Sequence, residues 1–173
     1  GGRGPLADQW SGVEVGRQLG ELCPPGRDFA RTTTTSLLRT RLVVVDADAV
    51  EIRVLGCLIE KQRTTPDTYP LTLNSLRLAC NQATNRDPVV DYDEETIRDA
   101  LQRLWRKEWA RLASGQGSRS VKYRQLVQET LALADDETSV LCVLMLRGPQ
   151  TPGELKQRTD RLHPLATLAE VEE

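Results

Sequence analysis

Arg98, Gln102, Arg103 and Arg106 are spaced so that a helix would turn them away from Ile97, Leu101 and Leu104. Arginine can pair with guanine and glutamine with adenine, so this set suits a helix that reads a DNA major groove. Farther along, Arg119, Lys122 and Arg124 could hold phosphate oxygens. From Trp105 to Arg124 the chain carries Arg106, Lys107, Arg111, Arg119, Lys122 and Arg124 against Glu108 alone, although its net charge is -2. Against DNA stand Glu94, Glu95 and Asp99, at the end of the helix that would approach first and repel phosphates. An ordinary solvated helix and hairpin would carry the same charges. Two readings stay open: binding of double-stranded DNA, and a surface for a protein partner or a homodimer.

A second cluster, Asn81, Gln82, Asn85 and Arg86, sits in a polar stretch that reads as a turn. Amide side chains brace such turns; the other reading is a patch that recognises a base or a partner.

No catalytic constellation stands out. His163 is the only histidine, which excludes a histidine-rich metal site. It precedes Pro164, a place for a turn or a helix end. Asp135-Asp136 and Glu94-Glu95 fall at helix starts, where carboxylates are expected. Gly115-Gln-Gly117 is too short for a phosphate loop and lacks its strand-to-helix context. Cys23, Cys57, Cys80 and Cys142 form no CxxC pair, so they read as reduced structural thiols of a cytosolic protein. No cofactor or metal is expected. No apolar run approaches the length of about 20 residues that spans a membrane.

These side chains need elements to place them. Asp48 and Glu51 are spaced as a capping box, followed by Val50, Val54, Leu55, Leu58 and Ile59 on one helical face. Leu71 to Cys80 reads as a second helix, and Val89-Val90 as a short strand. Asp91 or Asp93 caps a third helix, with Ile97, Leu101 and Leu104 as its core face. Residues 110–114 and 119–127 read as two strands around a turn at Gly115–Gly117. The order helix, helix, strand, helix, hairpin predicts a winged helix.

The chain also nearly repeats itself. Glu51, Val54, Leu55, Leu58, Lys61 and Thr65-Pro66 recur as Glu137, Val140, Leu141, Leu144, Arg147 and Thr151-Pro152, at a constant offset of 86. Two copies predict two similar units, the second with Val140, Leu141, Leu144 and Met145 as its apolar face. Leu168 to Val171 starts its third helix. The second copy is expected to be incomplete and less stable, or to rest on the first unit or a partner chain. Residues 1–45, rich in Gly, Pro and Thr, read as poorly packed, with Leu42 to Val45 as a short strand or a lead-in.

Several stretches together resemble a family. They are Arg53-Val-Leu-Gly-Cys-Leu-Ile-Glu-Lys61, Tyr69-Pro-Leu-Thr-Leu-Asn74, Leu78-Ala-Cys-Asn-Gln82, Asn85-Arg-Asp-Pro88, Leu146-Arg-Gly-Pro-Gln-Thr-Pro-Gly-Glu-Leu155 and Arg161-Leu-His-Pro164. Over about residues 48–173 the chain resembles the YceH-like bacterial proteins. The resemblance implies a cytosolic protein built of tandem winged helices. One departure is Lys107-Glu108-Trp109, where such helices commonly end Lys-Gly-hydrophobic; a left-handed Glu108 would cost roughly 1 kcal/mol relative to Gly.

The expected fold is mainly α with small β hairpins (α+β), a tandem winged helix with an incomplete second copy. Its expected segments are 1–47 (poorly structured), 48–128 (first winged helix) and 129–173 (partial second). The expected role is a non-enzymatic, cytoplasmic, transcription-regulator-like DNA binder; the alternative is a protein-interaction or dimerisation scaffold.

Overall fold

The computed structural model describes residues 47–113 and 120–172, all within the unit Ser36–Glu173. The expectations for residues 1–45, including a strand at Leu42 to Val45, lie outside the described residues, as do Arg119 and the turn at Gly115–Gly117. Within them the chain is mainly helical, with one three-stranded antiparallel sheet.

Helix α1 (Ala49–Thr64) starts where the sequence places it. The Asp48 carboxylate accepts from the amides of Val50 and Glu51 at 2.9 Å each, and Glu51 Oε2 accepts from the Asp48 amide at 2.9 Å. Three amides otherwise without helical partners are thereby satisfied. Beyond that start the one-faced reading is corrected: every residue from Arg53 to Glu60 is buried. Helix α2 (Leu73–Cys80), helix α3 (Glu94–Arg106) and the sheet cover one side of α1, and helix α5 (Asp135–Arg147) covers another.

After α1, Pro66 opens a 3-10 turn (Pro66–Thr68). Leu71–Thr72 forms strand β1, and Thr72 then caps α2 by accepting from the Ser75 amide. This strand replaces the one expected at Val89-Val90, which has no strand pairing. Strand β1 pairs with β3 (Lys122–Gln125), which also pairs with β2 (Ala110–Leu112). Its partner is about fifty residues away in sequence, so no local pattern announces it. Tyr69 adds a further tie: its hydroxyl accepts from the Gln125 amide at 2.8 Å. Burial pushes that hydroxyl's pKa up to about 12.

Asp93 caps α3 through the Thr96 amide at 2.8 Å. Ile97, Ala100, Leu101 and Leu104 are its buried stripe. At the exit of α3, Glu108 is left-handed with φ 61, the conformation in which Gly would be less strained.

Helices α4 (Val127–Leu131), α5, α6 (Pro152–Thr159) and α7 (Ala169–Glu172) follow. The expected face of α5 is corrected. Thr138, Ser139, Cys142, Val143 and Leu146 are its buried residues, while Leu141, Leu144 and Met145 are only partly covered and Val140 is likewise partly covered. The hydroxyls of Thr138 and Ser139 donate to the carbonyls of Ala134 and Asp135 at 2.7 Å each, so both side chains can be buried at little polar cost. Small side chains on this stripe let α5 approach α1 closely at Gly56, where an added Cβ would lie 2.9 Å from Leu146 Cδ2. Cys142 and Leu146 therefore join the same core as Leu55, Leu58, Ile97 and Leu104.

Among the described residues no helix is long and apolar enough to cross a membrane.

Candidate nucleic-acid interface

The register of the sheet sorts its side chains. Lys122 opposes Thr72, and Arg124 opposes Arg111, while Tyr123 stands between Leu71 and Leu112. Opposed residues share a face and alternate residues change face. Thr72, Arg111, Lys122 and Arg124 thus lie on one face; Leu71, Leu112, Tyr123 and the buried Gln125 lie on the other. In the sequence Arg111 is only one member of the basic run from Trp105 to Arg124; the register is what sets it opposite Arg124. Like charges placed directly opposite repel, and Glu129 relieves this pair by accepting from Arg124 Nη2 at 2.6 Å.

On α3 the candidate residues differ in their commitments. Arg103 is engaged: its Nη2 donates to Asp48 Oδ2 at 2.8 Å. Arg98 lies 4.0 Å from Glu94, a loose pair. Gln102 is partly exposed and Arg106 is exposed. Arg98 also stands close to Tyr123; burial raises the Tyr123 pKa and the Arg98 charge opposes the rise. Exposed Glu94, Glu95 and Asp99 occupy the first half of the helix, which leaves Gln102 and Arg106 in its second half as the groups open to a polyanion.

The turn between α2 and α3 is built inward. Asn81 accepts from the Tyr92 amide at 2.9 Å and donates to the Tyr92 carbonyl at 2.8 Å, stapling the two ends of the connection. Asn85 is left-handed, with φ 60, and accepts from Arg147. Gln82 accepts from Arg86 Nη2 at 2.9 Å. As a surface reader Arg86 is corrected outright, being only 5% exposed. It forks onto the Glu60 carboxylate and also donates to the carbonyls of Ala79 and Asn85. Such a fork on a buried carboxylate leaves no donor for a base. The sequence signal for it was Glu60 itself, a charged residue inside the apolar run of α1.

Glu60 also receives Arg161 from beyond α6. Burial pushes the Glu60 carboxyl up, but the Arg86 hydrogen bonds and the charges of Arg86 and Arg161 hold it below the ordinary carboxylate range. A second buried cation, Arg53, donates to the carbonyls of Cys80 at 3.2 Å and Pro88 at 2.7 Å. These buried charges fix the α2–α3 connection and so the pose of α3. Among the described residues no His, Cys, Asp and Glu side chains gather as a metal site.

The family described as "Protein of unknown function, DUF480" matches residues 47–173. A UPF0502 protein of Shewanella frigidimarina is 49% identical over 132 residues, 74% of this chain and 61% of that protein. One of Opitutus terrae is 52% identical over 124 residues, 72% of this chain and 54% of that protein. One of Pelobacter propionicus is 55% identical over 122 residues, 70% of this chain and 55% of that protein. The chain thus spans somewhat over half the length of these curated relatives. The motifs that resembled the YceH-like proteins are accounted for: the chain belongs to the DUF480 (UPF0502) family of bacterial proteins.

Proposed function

We propose that residues 48–128 act as a winged helix that binds double-stranded DNA without catalysing a reaction, in a transcription-regulator-like role. The observation that carries this reading is the shared face of Arg111, Lys122 and Arg124 on the sheet beside α3. In a winged helix the third helix enters the major groove and the hairpin lies along the backbone. Gln102 and Arg106 would meet base edges, and Arg111 and Lys122 would meet phosphates. The acidic start of α3 would point away from the duplex, so the helix would enter by its second half.

Titration with random-sequence duplex at several salt concentrations tests this. The unmodified protein should bind, and the R111A/K122A variant should bind every sequence more weakly. The slope of log K against log salt should fall by up to about 0.9 for each phosphate no longer neutralised. An unchanged slope would take the sheet out of the interface.

A protein-partner reading rests on different residues. Trp105 on α3 is 38% exposed and Leu78 on α2 is 57% exposed. Exposed aromatic and aliphatic side chains of this size anchor protein interfaces. No duplex binding at low salt, together with a concentration-dependent mass that W105A abolishes, would favour this reading.

A further inference from the structure

Residues 129–173 are acidic overall, yet three of their four basic side chains meet at one cavity. Arg147 at the end of α5, Arg158 on α6 and Arg161 just beyond it line a space of about 380 Å³, with Asn85 at one edge and Leu146 and Leu162 as apolar walls. Two of these cations have carboxylates. Arg158 lies 3.3 Å from Glu154, and Arg161 shares Glu60 with Arg86. Among the described residues Arg147 has the amide oxygen of Asn85 as its side-chain partner; Asp87 is near enough to favour its charge but forms no ion pair with it. Burial, and then the charges of Arg158, Arg161 and Arg86, push the Arg147 guanidinium below its ordinary pKa.

Positive charge is therefore gathered in a concave, partly desolvated place without enough negative charge to answer it. Such an arrangement is stabilised when an anion enters. Basic residues also suit helix C-termini, which accounts for one arginine on each helix end but not for their convergence across two helices and a loop. A carboxylate is filled by one guanidinium fork, whereas a tetrahedral phosphate offers oxygens to several. The cavity volume falls within the roughly 300–1,000 Å³ typical of small-ligand sites, and its walls are part apolar.

We propose that this cavity binds a phosphate-bearing small molecule, with Arg147 pairing the phosphate and the partly exposed Leu162 receiving the organic part. The proposal is independent of the DNA reading, since no candidate DNA-binding residue on α3 or the sheet lines the cavity.

Inorganic pyrophosphate is the probe, at ionic strength held constant with KCl. The thermal midpoint of the protein should rise in a saturable way, as expected for a ligand that binds only the folded state. R147M should weaken that binding by about tenfold or more. R147K, which keeps the charge without the fork, should fall between, and R77A on α2 should bind like the unmodified protein. If R147M does not fold by circular dichroism, R147K against R77A carries the comparison. No saturable rise, or full binding by R147M and R147K, overturns the proposal. A short duplex that displaces pyrophosphate, with a salt slope that R147K lowers, would also overturn it by assigning the cavity to a nucleic-acid backbone.

Discussion

The thiol of Cys142 donates to the carbonyl of Gly56 at 3.3 Å, and the two residues stand 86 positions apart, the offset of the sequence repeat itself. The first helices of the two copies therefore cross at equivalent positions. Interactions run both ways across this crossing. Arg161 of the second copy reaches Glu60 at the end of α1, while Asn85 and Asp87 of the first copy reach Arg147 and the Leu146 carbonyl at the end of α5. Glu60 and Leu146 are themselves 86 apart.

Close approach at Gly56 should be sensitive to one carbon. In G56A the new Cβ would sit 2.9 Å from Leu146 Cδ2 and 3.1 Å from Met145 Cβ. Overpacking of this kind costs about 1–3 kcal/mol, so chemical denaturation should show a loss in that range. Adding L146V should restore part of it, a coupling that a double-mutant cycle reads directly.

Glu60 should contribute a pH-dependent part of the stability. Its folded pKa is held below the ordinary value, chiefly by Arg86 once the opposing effect of burial is overcome. A depressed carboxyl contributes stability that is fully present above its unfolded pKa and lost as pH falls through its folded pKa. Denaturation midpoints should therefore fall on acidification below the ordinary carboxylate range. E60Q should lose about 3 kcal/mol at neutral pH, the scale for breaking a buried pair, and should show a shallower acid decline.

E108G should stabilise the protein. Glu108 is exposed and left-handed, and its backbone carbonyl, which accepts from the Thr130 hydroxyl, is retained in the variant. Relief of the left-handed conformation is worth about 1 kcal/mol, a rise of a few degrees in melting temperature. E108A should show no such gain, which separates backbone strain from loss of charge.

Hydrogen exchange should divide residues 129–173. Amides of α5 around Cys142 and Leu146 share the core of α1 and should be protected nearly as strongly as those of Leu55 to Ile59. Amides of α6 and α7 should exchange faster, because among their described residues only Leu155 and Thr159 are buried. Equal protection throughout would show that the second copy holds a stable core of its own.

Local rules were legible in the chain. The caps at Asp48 and Asp93 each act over three residues or fewer, so side-chain type and spacing suffice to place them. The α3 stripe of Ile97, Leu101 and Leu104 followed from helical periodicity, whereas the left-handed Glu108 was suggested only by the family resemblance, in which a Gly stands at that place. What depended on distant partners was not legible. Strand β1 exists because Leu71 and Thr72 meet Tyr123 and Lys122. The face of α5 was misread because Thr138 and Ser139 look polar in sequence, yet they bond within their own helix and leave room for α1. Arg86 reads as a surface residue until Glu60 is placed beside it. The arginine cavity joins positions 85, 147, 158 and 161, which only tertiary packing brings together. The sequence by itself determined the caps of α1 and α3 and the buried stripe of α3, because capping and periodicity are short-range. Tertiary structure alone decided which charges are buried in pairs and which remain to meet a ligand, because that depends on what each helix packs against.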